Sequence, residues 1–234
     1  MDSFWRRLKY YGFGFLGGLV FVFVFFQNRG CSWLPANRVK NTILDRVIVV
    51  SEDQNQLLKA KGYTIQDVKN ALNEGEVHFS SSRKNGDLKV YKVTNEIDNK
   101  GEVAFYFTLP AESFISEMKV GPLNVNKVLN TTKGLGTIIH LPKDEHLVFI
   151  DSTEALLCQK GRLGIAKSSD VLRQLKLNGR VDFSLTNFND RPKVTHRLSF
   201  IQHKTGRQIF FDAIWYKNKI DVVRFVTDST FTCP

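Results

Sequence analysis

The chain has 234 residues, a net charge of +10 and 42% hydrophobic residues, which bounds it to one or two folded domains and excludes a disordered chain. Its three cysteines, Cys31, Cys158 and Cys233, exclude a disulfide framework, and no C-x-x-C spacing marks a zinc or thioredoxin-like site.

Residues 10–26 read YYGFGFLGGLVFVFVFF, with no charge and no proline. At about 1.5 Å per residue this run is at the low end of what crosses a bilayer core. A lone strand would leave its backbone unpaired in lipid, so the expectation is a single membrane-spanning helix. A cleaved signal peptide shares the basic start and apolar core, but no A-x-A pattern follows. Lipid attachment at Cys31 is the other alternative, and Asn28 and Arg29 are wrong for a lipobox. Arg6, Arg7 and Lys9 precede the run, which keeps the N-terminus cytoplasmic and places residues 31–234 in the periplasm. Gly14, Gly17 and Gly18 share one helical face, and small residues at this spacing let another membrane helix approach closely. Glycine is also simply common in such helices.

Residues 27–42 read as a juxtamembrane linker, broken by Pro35 and Asn37. Residues 46–50, RVIVV, suit a strand, and Ser51 with Gln54 resembles a capping box for the helix that follows. Thr64 and Asp67 form a second box before a helix whose Ile65, Val68 and Leu72 share one face, stopped at Gly75. Strand-like runs follow at residues 76–80, 88–94, 102–109 and 116–120, with a hairpin signal at Asn85-Gly86. Residues 121–141 contain Pro122, Gly134 and Gly136 and read as a linker, or as a segment covering the first unit.

The second half repeats this order. Residues 146–150, HLVFI, match RVIVV in pattern, and Leu156-Leu157 echoes Leu57-Leu58. DVLRQLKLNGRVDFS, from Asp170, aligns with DVKNALNEGEVHFS, from Asp67, with one residue inserted. Strand-like runs follow at residues 193–201, 207–216 and 222–227. The fold class expected is therefore α+β: an N-terminal transmembrane helix, then two similar small units of helices on an antiparallel sheet. The divisions are 1–30, 31–120, 121–141 and 142–234.

The D-V-x-x-x-L-x-x-G-x-V-x-F-S pattern after a leucine-bearing helix resembles the bacterial family known only as domain of unknown function 4258. Cys31, Pro35, Arg38 and Val39 after the apolar run are similar to its membrane-anchored members. The resemblance covers residues 38–108 best and 147–226 less well, and it implies no activity. Its layout is similar in outline to small ribonuclease toxins, a likeness of fold alone.

No catalytic, cofactor-binding or metal-binding set is expected. His78 alternates to the solvent side of a strand, and His196 and His203 sit near a hairpin, where exposure is the simplest reading. His140 and His146 flank Asp144 and Glu145, but their spacing matches no fixed ligand geometry. In residues 207–219, Ile209, Phe211, Ala213 and Trp215 alternate as one face of a strand, which argues against a nucleic-acid surface. Cys158 and Cys233 are the candidate disulfide. The function expected is a membrane-anchored periplasmic binding or accessory subunit, partnered by another integral membrane or envelope protein. The alternative is an envelope hydrolase or nuclease-like enzyme whose site forms only on folding.

Overall fold

The computed structural model describes residues 2–27, 34–203, 205–226 and 233, without the side chains of residues 2–4, 6 and 24–27. The chain divides into two units, Met1–Val39 and Lys40–Pro234. The first holds helix α1 (Asp2–Gln27), and α2 (Pro35–Leu44) runs across the division. Phe13, Phe15, Leu16 and Val20 of α1 are exposed. The expected transmembrane helix is corrected here: among the described residues, no helix is long and apolar enough to cross a membrane. Within α1 the apolar residues are diluted by four glycines and preceded by Arg6, Arg7 and Lys9. Cys31 lies outside the described residues.

The second unit is built from β1 (Val47–Ser51), α3 (Glu52–Ala60), α4 (Ile65–Glu74), β2 (Glu76–Val77), β3 (Leu88–Ile97), β4 (Gly101–Pro110) and β5 (Ile115–Val120). Then come β6 (Leu135–His140), β7 (Val148–Ile150), α5 (Glu154–Arg162), α6 (Ser168–Asn178), β8 (Arg180–Asn187), β9 (Thr195–Ile201), β10 (Gln208–Tyr216) and β11 (Lys219–Val226). The expectation of two separate antiparallel units is also corrected. All eleven strands form one sheet, ordered β2-β3-β4-β5-β1-β6-β8-β9-β10-β11-β7, and it is mixed, because β1 pairs parallel with β5 and β7 with β11. Residues 135–140, read as part of a linker, supply the strand that makes the sheet continuous.

Local chemistry sets the elements. Thr64 Oγ1 accepts from the Asp67 N–H at 3.1 Å, and the Asp67 carboxylate accepts from the Thr64 N–H at 2.8 Å, a reciprocal cap on α4. At the other end of α4, buried Lys40 donates to the carbonyls of Asn73 and Gly75, which α4 itself cannot satisfy. Lys217 and Asn218, both at positive φ, make the two-residue turn between β10 and β11.

The strand order carries a geometric consequence. The first half runs β2-β3-β4-β5-β1 and the second β8-β9-β10-β11-β7, the same order by rank. Strand β6 lies between them and pairs antiparallel with both β1 and β8. One extra antiparallel strand reverses every strand direction in the second half relative to its counterpart. Equal order with reversed direction is a rotation about an axis in the sheet, so the halves present opposite faces.

The cores agree. Val47 and Val49 of β1 join Val171, Leu172 and Leu175 of α6 in one cluster, so the second-half helices lie on that side. Ile48, next in the strand, lines a cleft with Val68 and Leu72 of α4 on the other side. All five residues of β1 are therefore buried, including its two faces. Leu72 and Leu175, matched in the repeat, are both buried.

Gly136 of β6 sits where Val49 and Phe183 close over the strand. A Cβ there would lie 2.6 Å from Phe183 Cε2 and closer still to Val49 Cγ1. Gly136→Ala should lower the unfolding free energy by about 1–3 kcal/mol through over-packing. Gly161→Ala on exposed α5, where nothing lies within 4 Å, should raise it by roughly 0.5–1 kcal/mol. Urea denaturation of both variants checks the pair; equal effects would show that β6 is not tightly enclosed.

Candidate functional site

The side of the second-half sheet facing away from α5 and α6 is the candidate site. Alternation places Phe211 and Ala213 of β10 in the helix-side core and turns Phe210, Asp212 and Ile214 to the other side. Register then aligns Asp182, Arg197, Asp212 and Arg224 across β8, β9, β10 and β11. Arg197 grips Asp212 through two hydrogen bonds, at 2.5 and 3.1 Å, and Arg224 Nε donates to Asp212 at 2.7 Å. Burial pushes the Asp212 carboxyl up, but the hydrogen bonds and charges of Arg197 and Arg224 outweigh it and hold the carboxyl below its ordinary value. The result is a rigid row of alternating charge.

Exposed apolar side chains lie farther along the same side, Ile201 four residues from Arg197 and Tyr216 four residues from Asp212 in the opposite direction. Ile201 of β9 and Tyr216 of β10 are 48% and 50% exposed, and Val226 of β11 is also exposed. The corresponding face of the first half is covered. There Leu123, Val125 and Val128 pack on Val90 and Tyr106, and Arg83 fixes the covering segment by donating to the carbonyls of Asn126 and Val128. Glu117, buried beneath the same segment, accepts from the Thr131 N–H and pairs with Lys119 at 3.1 Å.

The second half has no such cover among the described residues. Its chain leaves β11 at Val226, and Cys233 is joined to Cys158 of α5 by a disulfide, with a Cα–Cα distance of 5.9 Å. The end of the chain is thus tied to the helix side. Gln159 of α5 accepts from the Phe225 N–H at 2.9 Å beside it.

The other singled-out residues lie apart from this face. Gly14, Gly17 and Gly18 are on α1, and no described atom lies within 4 Å of where their Cβ atoms would be. His78 is half-buried and bonded to Thr94 Oγ1 at 2.6 Å. His140 Nε2 bonds the Leu44 carbonyl, while His146 and His203 are exposed. Among the described residues, no group of three His, Cys, Asp or Glu is placed to hold a metal.

His196 departs most from expectation, being fully buried on β9 rather than exposed. Phe114 and Phe188 stand edge-on to its ring at 4.8 and 5.6 Å. His196 Nε2 is hydrogen-bonded to Ser113 Oγ at 2.9 Å and Nδ1 lies 3.4 Å from Thr186 Oγ1, so both ring nitrogens have hydroxyl partners. The histidine therefore links the β4–β5 connection to the second half as a neutral structural group, walled off from solvent. The period-2 pattern gave no hint of this, because Ser113 and His196 are far apart in sequence.

Comparison with protein-family models, with characterised proteins and with solved structures returns no match. The family resemblance rests on the motif residues alone.

Burial lowers the His196 pKa to about 3. The unfolded chain takes up a proton below about pH 6.5 that the folded chain refuses, so stability falls as pH drops from about 6.5 toward 3. Between pH 7.5 and 5 this one group should remove roughly 2 kcal/mol. His196→Gln should flatten the pH dependence of the urea midpoint by that amount. Parallel curves for the two proteins would show that His196 titrates normally.

Proposed function

We propose that this chain is a non-enzymatic binding or accessory subunit of a cell-envelope protein assembly, with its sheet in an oxidising compartment outside the cytoplasm. The observation that carries the reading is the face around the Arg197–Asp212–Arg224 row, which no chain segment covers among the described residues. A surface with a satisfied ion row and exposed apolar side chains farther along its strands suits a protein partner, because pre-ordered side chains lose little entropy on binding. The charged row favours register and partner choice over raw affinity. Nothing on this face resembles a nucleophile with its base, and both arginines are committed to Asp212.

Two further features support the envelope. The Cys158–Cys233 disulfide persists in oxidising compartments and is rare in the cytosol. Phe13, Phe15, Leu16 and Val20 of α1 call for an apolar cover, which lipid or an envelope protein supplies.

Affinity purification in mild detergent, with mass spectrometry of co-purifying proteins, tests this reading. Ile201→Glu combined with Tyr216→Ala should leave the melting temperature unchanged, since both sites are exposed, and should remove at least one envelope protein from the eluate. Retention of every partner by the double variant would refute the face as the interface.

A further inference from the structure

A second site lies at the end of β6, and it is independent of the partner-binding reading. The end of β6 runs between α4 and α6, with Ile138 packed on the α6 side and Ile139 turned toward α4. A cleft of about 440 Å³ opens there. Its floor is apolar, made by Ile48, Val68, Leu72 and Ile139, and its rim carries Lys69 and Lys143. Lys176 of α6 joins Lys69 in the adjoining hollow beside His140. These three lysines are exposed and make no ion pair among the described residues. Asp45 is the sole carboxylate among the lining residues.

The volume is that of a small-molecule site, and the composition is an apolar floor under a positive rim. Three ammonium groups without counter-charges repel one another, and a bound anion relieves that repulsion. Two of them act on His140: burial lowers its pKa first, the Leu44 carbonyl opposes this, and Lys69 and Lys143 lower it further. The hydrogen bond to Leu44 also fixes the ring, so the lysines and not His140 are free to meet a ligand.

We propose that this cleft binds an amphipathic anion, one phosphate or carboxylate head on a short apolar body. The head sits between Lys69 and Lys143, and the apolar body lies on Ile48 and Ile139. Lys176 adds charge from the second half of the sheet, so the ligand touches both halves.

The test uses the full chain and the imidazole proton resonances of His140, identified by their loss in His140→Gln. Hexyl phosphate and hexanoate are titrated separately, which distinguishes a phosphate from a carboxylate head. At least one should shift the His140 signals saturably, and more tightly than inorganic phosphate by roughly ten-fold, the contribution of the apolar body. Lys69→Gln with Lys143→Gln should weaken that ligand by roughly ten-fold or more, the loss of two charge-assisted hydrogen bonds. Both lysines are exposed, so the variant should fold, as an unchanged melting temperature would show. An equal response to hexylammonium, unchanged affinity in the double variant, or no response to either anion would overturn the proposal.

Discussion

Gly136 lets β6 lie between β1 and β8 with Val49 and Phe183 closed over it, and the remaining architecture depends on that fit. With a side chain there, Val49 or Phe183 would have to move, and both belong to the larger core. Because β6 adds one antiparallel strand between two five-strand groups of the same order, the second group is turned over. Its helices then lie opposite those of the first. Strand β1 becomes the middle layer, packed by α4 on one side and by the α6 cluster on the other.

The inversion also decides what is left uncovered. Residues 121–133 leave β5 on the side shared with α5 and α6, and they cover the first half before entering β6. After β11 the chain is instead tied to α5 through Cys158 and Cys233. Two similar sheet faces thus acquire different surroundings. One buries Glu117 and Tyr106 under its own chain, and the other buries Asp212 beneath its own two arginines, of which Arg224 is exposed. Buried polar groups on both are paired, as the high cost of leaving them unpaired requires. His196, Ser113 and Thr186 do the same where the β4–β5 connection meets the second half.

Many local signals were legible in the sequence, but the Ser51–Gln54 box was not among them: Ser51 makes no side-chain cap, and Gln54 accepts from the remote Val120 N–H at 2.8 Å instead. The Thr64–Asp67 box, the helical face of Val68 and Leu72, and the alternation from Ile209 to Trp215 all describe contacts within a few residues. The disulfide partners could be named, but not their approach, because 75 residues separate them. Strand β6 escaped notice because LGTIIH is short, sits among Gly134 and Gly136, and has remote pairing partners. The charged row escaped for a related reason: Asp182, Arg197, Asp212 and Arg224 come from four strands whose register is set only on folding. The membrane-spanning reading of the N-terminus weighed an apolar run by its length, while α1 mixes that run with four glycines and with Arg6, Arg7 and Lys9.

The central claim is that the face around Asp212 meets a partner while the matching first-half face is closed by the protein's own chain. The most direct measurement is photo-crosslinking in intact cells, with a photoreactive residue placed at Ile201 and, in a second strain, at Leu177, which is exposed on α6. The account predicts a discrete crosslinked product with an envelope protein from position 201 and none from position 177. A product from position 177 with none from position 201 would contradict it.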